Sequence, residues 1–347
     1  KVSPAYVIPG ATRCLVIWAC GTESRLPQNP MFTEVSKRDG KIIVVDPRYI
    51  QPVSYADMWL QVRPGTDCAV MLAWLNIIVK EELYEKEFVE RWTNAPYLVR
   101  SDTGRLLRER DVVERGDAEK FMVWDLNTSS PKPYNRQTLS FEPADVDFRL
   151  DGSYTVTLKD GKEVECKTVW RLLKERIDPY TPENVQKISW VSAHKIRDSA
   201  RIYAANRPTC ILWGISLEQH PNAIQTLRAR SILQSIVGRL DVPGGEAMSY
   251  PPKIRLTEEM ELNNMLPPEQ RKKQLGSDRF RLQCYPGWGL ISAESRKVWG
   301  YAPAARYAAV AHTPTVIRAI LTGKPYPVKA LIVTQSNPLV WANSKLV

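Results

Sequence analysis

Two short stretches carry groups suited to a nucleotide. Asp46-Pro47-Arg48 closes the β-branched run Ile42 to Val45, and Arg63-Pro64-Gly65-Thr66-Asp67 closes the run Trp59 to Val62. A carboxylate where a buried strand emerges accepts hydrogen bonds from ribose hydroxyls. Asp67 matches the two N–H donors on a guanine edge. Gly65 lets a ligand approach the backbone closely, Thr66 is placed to cap the next helix, and Arg48 offers a guanidinium to phosphate charge. Either stretch alone reads equally well as ordinary strand-turn-helix punctuation.

Similar polar clusters recur along the chain. Trp18-Ala19-Cys20-Gly21-Thr22-Glu23-Ser24-Arg25 ends the apolar run Cys14 to Trp18. Gly214, Leu217, Gln219 and His220 follow Thr209 to Trp213, and Asn337 follows Val328 to Thr334. Polar groups beyond the carboxyl ends of several strands are what an open α/β sheet presents to a ligand. His220 is the best candidate to contact a substrate, with an interior hydrogen-bonded histidine as the alternative.

The elements that hold these groups follow from hydrophobic patterning. Runs 14–18, 42–45, 59–62, 209–213 and 328–334 read as strands buried on both faces. Helices are expected over 30–37, 69–79, 83–92, from Thr181-Pro182-Glu183 onward, over 192–205, through Gln225, Arg228 and Ile232, and over 314–321. Between residues 97 and 168 the text turns polar, and alternation around Asp160-Gly161 signals a hairpin in a surface insertion. The fold class is therefore α/β: a Rossmann-like doubly wound sheet over residues 1–212, with the hairpin insertion near 97–168. Residues 213–347 are expected to form part of a second α/β domain.

With 347 residues, 44% hydrophobic and 25% charged, the chain can bury two cores. The net charge of +10 comes from basic residues scattered among acids, which suits a polyanionic cofactor better than a nucleic acid. Six cysteines without a Cys-x-x-Cys pair and three histidines without ligand spacing argue against a metal ligand set in this chain. No run is long enough for a membrane span. Lys1 at the start and a motif-rich end at Val347 suggest part of a longer polypeptide.

In order, Leu15-Val-Ile-Trp-Ala-Cys-Gly21, Ile43-Val-Val-Asp-Pro-Arg48, Arg63-Pro-Gly-Thr-Asp67, Trp213-Gly-Ile-Ser-Leu-Glu-Gln-His220, Gly238-Arg-Leu-Asp-Val-Pro-Gly-Gly245 and Leu331-Ile-Val-Thr-Gln-Ser-Asn-Pro-Leu339 resemble the catalytic subunits of the molybdopterin oxidoreductase family of dimethyl sulfoxide reductase type. The insertion containing Ala95 to Gly104 looks most like the acetylene hydratase and anaerobic reductase branch. The resemblance implies two molybdopterin guanine dinucleotides carrying molybdenum or tungsten. It assigns Trp18, Cys20, Gly21, Glu23, Arg25, Asp46, Pro47, Arg48, Gly65, Thr66 and Asp67 to one dinucleotide, and Gly214, Leu217, Gln219, His220 and Asn337 to the pterin and metal surroundings. An iron-sulfur cluster in a preceding region, an iron-sulfur electron-transfer subunit and a small-molecule substrate are further implications, in a bacterial or archaeal cytoplasm or periplasm. The family's cysteine-rich start, protein metal ligand and final domain have no counterpart here, so these residues alone are expected to lack turnover.

Two other readings compete. A nicotinamide-dependent dehydrogenase is disfavoured because the first strand lacks Gly-x-Gly-x-x-Gly and Pro47 directly follows the ribose-type acid. A non-catalytic scaffold of the same fold is disfavoured by the retained Asp46, Gly65 and Asp67.

Overall fold

The computed structural model describes residues 7–8, 10–20, 29–135, 138–141, 145–237, 240–246, 265–280, 284–300 and 310–333. The chain forms two compact units, residues 1–249 and 250–347. The division expected at 212/213 concerns a longer polypeptide; within these residues, 213–249 cluster with the first unit.

In the first unit the order begins β1 (Cys14–Trp18), α1 (Asn29–Lys37), β2 (Lys41–Val45), β3 (Met58–Leu60), α2 (Asp67–Lys80) and α3 (Lys86–Trp92). The insertion follows with β4 (Leu98–Arg100), α4 (Glu109–Val112), β5 (Phe121–Asp125), β6 (Ser130–Asn135), β7 (Ser140–Phe141), β8 (Ser153–Thr157) and β9 (Glu163–Thr168). Then come α5 (Val169–Ile177), α6 (Pro182–Ser189), α7 (Ala193–Ala205), β10 (Thr209–Trp213) and α8 (Ala223–Ile236).

A parallel sheet in the order β10-β1-β2-β3 is the frame. Every residue of β1 is buried, as a strand covered on both faces requires. Val16, Trp18, Ile43 and Val45 face a core shared with α2, α7 and α8, whereas Leu15, Ile17, Ile42 and Val44 pack with Phe32 and Val35 of α1. The period-2 alternation thus serves helices on opposite sides of one sheet.

The insertion is richer than the single expected hairpin, with two three-stranded antiparallel sheets, β4-β9-β8 and β5-β6-β7. The hairpin around Asp160-Gly161 joins β8 and β9, closed by Leu158 N–H to the Lys162 carbonyl at 2.8 Å.

Several bounds differ from the sequence reading. Strand β3 stops at Leu60 because Arg63 N–H bonds to the Ser189 carbonyl at 2.8 Å, drawing the chain towards α6. Helix α2 begins at Asp67, two residues early, and α3 begins at Lys86. Thr66 stands at the N-cap without capping: its hydroxyl donates to the Arg63 carbonyl at 2.7 Å, leaving the turn closed on itself. At α6 the cap expected of Thr181 does form, its oxygen accepting from Asn184 N–H, with Pro182 opening the helix.

In the second unit α9 (Pro268–Arg271), α10 (Tyr285–Trp299) and α11 (Thr313–Thr322) are helical. The strand expected over 328–334 does not form in its described part. Residues 328–333 pair with no strand among the described residues, and Leu331 and Ile332 stand exposed. A β-branched run supplies propensity, but a strand exists only where another backbone accepts its hydrogen bonds. Among the described residues no helix is long and apolar enough to cross a membrane.

Candidate functional site

The chain winds outward from β1 through β2 to β3 and returns to β10 on the other side of β1. The direction of winding therefore reverses between β1 and β10, and ligands of open α/β sheets bind outside the carboxyl ends of strands at such a reversal. There Gly214 N–H donates to the Trp18 carbonyl at 3.0 Å. A Cβ on Gly214 would lie 2.0 Å from the Ala19 oxygen and 2.8 Å from Cys20 Cα. The loops leaving β1 and β10 thus meet backbone to backbone, with Ala19 turned to a φ of +47° and Cys20 buried.

A second contact ties the end of β1 to the start of α2. Trp18 is fully buried, its ring 5.3 Å from Trp74, which lies 5.2 Å from Tyr203 and donates through Nε1 to Ser199 Oγ at 3.0 Å. This aromatic stack fixes the Trp18 indole, whose Nε1 donates to Asp67 Oδ1 at 2.8 Å. Asp67 is buried as the first residue of α2, where the helix dipole favours a carboxylate. Gly65, exposed in the turn before it, holds φ at +82°.

At the end of β2, Asp46 is 4% exposed. Its Oδ1 accepts from Arg48 N–H at 2.9 Å, with Arg48 Nε at 3.7 Å, while its carbonyl accepts from Trp59 Nε1 at 2.9 Å. Arg48 itself is exposed and Pro47 half-buried. A cavity of about 400 Å³ opens beside these ends, lined by Pro47, Gln61, Pro64, Trp190, Ser192 and Lys195 among others.

Beyond β10, Leu217 is buried and Gln219 exposed. The half-buried His220 ring accepts from Asn222 N–H through Nδ1 at 3.2 Å, and its Nε2 lies 3.4 Å from Thr226 Oγ1. Thr226 donates to the Asn222 carbonyl at 3.0 Å. An accepting Nδ1 places the proton of the neutral ring on Nε2. Cys68, next to Asp67, bonds to Thr226 and Asn222; burial pushes its thiol up, against those bonds, which favour the thiolate. The start of α8 is thereby joined to the start of α2.

The structure therefore brings together Trp18, Cys20, Gly214 and Asp67, and holds Asp46 at the neighbouring strand end. Gly21, Glu23, Arg25 and Asn337 lie outside the described residues. The sequence reading assigned no role to Cys68, Thr226, Trp190 or Lys195, because each enters through the packing of helices far apart in sequence. Among the described residues no three histidine, cysteine or acidic side chains gather to hold a metal ion.

A parallel sheet whose winding reverses between β1 and β10, with buried carboxylates at its strand ends, defines an open-sheet α/β protein. The particular kind is given by comparison: the model of the family described as molybdopterin oxidoreductase matches residues 15–294, and the chain belongs to that family. It is 32% identical to perchlorate reductase subunit alpha from Dechloromonas aromatica (strain RCB), across 69% of this chain and 28% of that one. It is 28% identical to acetylene hydratase from Syntrophotalea acetylenica, across 89% of this chain and 32% of that one. A solved structure of acetylene hydratase from Pelobacter acetylenicus matches at 25% identity with a TM-score of 0.46, covering 96% of this chain and 37% of that one. The chain thus spans about a third of the length of these relatives.

Proposed function

We propose that this chain forms part of the cradle for two molybdopterin guanine dinucleotides in a molybdenum- or tungsten-dependent catalytic subunit. The whole enzyme would carry out oxygen- or sulfur-atom transfer, dehydrogenation or hydration on a small molecule. The cofactor supplies the redox-active or Lewis-acidic centre, and the protein supplies placement and electrostatics.

The observation that carries this reading is the meeting of the β1 and β10 loops at Gly214, with buried Asp67 held by Trp18 at the same strand ends. The residues fit such a group. Backbone contact at Gly214 leaves no side chain over the crevice, and the two carboxylates, Asp46 and Asp67, can accept from ribose and guanine. Gly65 exposes backbone to phosphate or base, and a Cβ there would meet nothing within 4 Å. Arg48 balances pyrophosphate charge. In the same proposal Cys20, Gly21, Glu23 and Arg25 close the first dinucleotide, while Leu217, Gln219, His220 and Asn337 border the pterin and metal.

His220 would contact substrate or pterin by turning its Nε2–H from Thr226. An iron-sulfur cluster outside these residues and an iron-sulfur partner subunit complete the electron path; several relatives, perchlorate reductase among them, are named as alpha subunits. The division into a nucleotide domain over 1–212 and a second domain from 213 belongs to this proposal for the whole enzyme.

The test is metal and cofactor content of the full-length protein. Asp67→Asn keeps an oxygen for Trp18 but loses the charge for guanine, so bound molybdenum or tungsten and extractable guanine dinucleotide should both fall. Unchanged content in that variant refutes the assigned role.

A further inference from the structure

The strand edges of the insertion are closed by different devices, with one exception. Along β4, Leu107 N–H donates to the Leu98 carbonyl at 2.8 Å and Arg100 N–H to the Arg105 carbonyl at 2.9 Å, so residues 105–107 cover its outer side. Along β5, Met122 N–H donates to the Leu107 carbonyl and Glu109 N–H to the Lys120 carbonyl, both at 3.1 Å. Strand β6 meets β7 at Tyr134 and Asn135, and the stretch before them carries Pro131 and Pro133. Those prolines have no N–H, so their nitrogens face away from the β5 ladder and offer an added strand no donor.

Strand β8 has no such guard. Leu158 N–H donates to the Lys162 carbonyl at 2.8 Å and Thr168 N–H to the Gly152 carbonyl at 3.0 Å. In the antiparallel ladder between them Tyr154 and Val156 therefore bond to β9, and Ser153, Thr155 and Thr157 turn their N–H and carbonyl groups outward. Among the described residues those outward groups meet no other backbone, and all three residues are exposed. The strand reads Ser-Tyr-Thr-Val-Thr, β-prone and free of the charges and prolines that ordinarily blunt an edge. On its inner face Val156 is buried, and the half-buried Tyr154 ring stacks on Trp124 at 4.7 Å, so the edge ends in an aromatic shelf.

We propose that β8 pairs with β8 of a second copy of this chain, antiparallel about a two-fold axis through Thr155, joining the two β4-β9-β8 sheets into one. The strand complements itself in that register. Thr155 meets Thr155 and Ser153 meets Thr157, so outward backbone groups lie opposite one another and hydroxyl side chains pair with hydroxyl side chains. Tyr154 meets Val156 on the inner face, an aromatic against a β-branched residue. The two ends of the edge differ in charge. At its start Arg171 and Lys174 converge on Asp151, at 3.3 Å and 2.5 Å, which leaves that end basic. At its other end Asp102, Asp160 and Glu163 outnumber Lys159 and Lys162, the last held by Asp102 at 3.0 Å. A two-fold axis sets the basic end of each copy against the acidic end of the other. Five residues a side make a small contact, so the dimer belongs to the weak, micromolar class.

The experiment measures the mass of the full-length protein by light scattering and sedimentation from about 1 to 100 μM, where a reversible dimer is expected. Thr155→Pro removes one outward N–H, as Pro131 and Pro133 do in β6, and Thr155→Lys sets two ammonium groups against each other on the axis. Each should raise the dissociation constant by about tenfold or more, with the far-UV circular dichroism of the parent retained. The register is tested by charge. Ser153→Lys with Thr157→Lys should weaken the dimer likewise, whereas Ser153→Lys with Thr157→Glu should leave it at least as tight as the parent's, because residues 153 and 157 meet across the axis and not within one copy. These double variants carry the test should proline disturb the fold. The proposal is overturned if the protein stays monomeric throughout the range, if Thr155→Lys dimerises as the parent does, or if the two double variants behave alike. A monomer whose β8 amides resist hydrogen exchange also overturns it, since the edge is then held by another segment or a different partner.

Discussion

The Trp18 indole N–H donates to the Asp67 carboxylate at 2.8 Å, joining the end of the first strand to the first residue of a helix 49 positions later. The bond has two consequences that separate by mutation. Asp67→Ala strands a buried indole N–H, which costs about 1–3 kcal/mol. Trp18→Phe combined with Asp67→Ala should therefore be less destabilised than the sum of the single changes, read as Tm or urea midpoint in a double-mutant cycle. Strict additivity would show that the bond contributes nothing to folding.

Gly214 and Gly65 are expected to fail for different reasons. At Gly214 a methyl group collides with the Ala19 carbonyl, so Gly214→Ala must push apart the β1 and β10 loops, at a cost of about 1–3 kcal/mol. At Gly65 a Cβ meets nothing within 4 Å, and only its φ of +82° opposes alanine. Gly65→Ala should cost about 1–2 kcal/mol. Urea unfolding ranks them, and equal Tm for Gly214→Ala and the parent would contradict the backbone contact.

Much of this architecture could be read from spacing and residue type. The continuous apolar run Cys14 to Trp18 and the β-branched run Ile42 to Val45 each report burial on both faces, because a central parallel strand has no solvent side. The cap at Thr181-Pro182 was legible for the same local reason. What could not be read depends on partners distant in sequence. Thr66 looks like a cap until its hydroxyl is seen to donate to the Arg63 carbonyl, and residues 328–333 have strand chemistry without a strand to pair with among the described residues. The second unit shows this most plainly. The 15-residue α10 went unforeseen, its two glycines and Pro286 masking a helix that ends at Gly300 in the left-handed conformation. In the candidate site, Asp46, Gly65 and Asp67 announced themselves by type and position. Cys68, Thr226 and Trp190 did not, since only the crossing of α2 and α8 and the turn after α6 bring them to the strand ends.

Strand β10 is the outer strand of the sheet, and a buried ion pair occupies its edge. Glu246 accepts from Ile211 N–H and from Arg230 Nη2 at 3.0 Å, while Arg230 also reaches the Ile211 carbonyl at 3.3 Å and lies 5.1 Å from the Trp213 ring centroid. Arg230 is wholly buried, and its Nε and Nη1 find no partner among the described residues. Burial pushes the Glu246 carboxyl up and the Arg230 guanidinium down. Such a pair adds little net stability, but breaking it on one side leaves an uncompensated buried charge. Arg230→Met should lose about 3–5 kcal/mol, and Arg230→Met with Glu246→Leu should recover part of that loss. The check is chemical unfolding of the three variants; a double variant no more stable than Arg230→Met would contradict it.

The far end of α2 yields a pH prediction. Arg201 of α7 grips Glu81 through two hydrogen bonds, both at 2.9 Å, and these hold the Glu81 carboxyl below its ordinary value of 4.5. A carboxylate lowered on folding stabilises the protein above its unfolded pKa, and that contribution disappears as pH falls through the lower folded value. Both side chains remain substantially exposed, so solvent screens the pair and the effect is small. Glu81→Gln should accordingly lower Tm slightly at neutral pH and converge with the parent as pH falls through the lowered folded value of Glu81. High salt should shrink the neutral-pH difference, since screening acts on exposed charges first. A Tm difference between the two proteins that stays constant from neutral pH into acid would show that Arg201 binds Glu81 without regard to its charge.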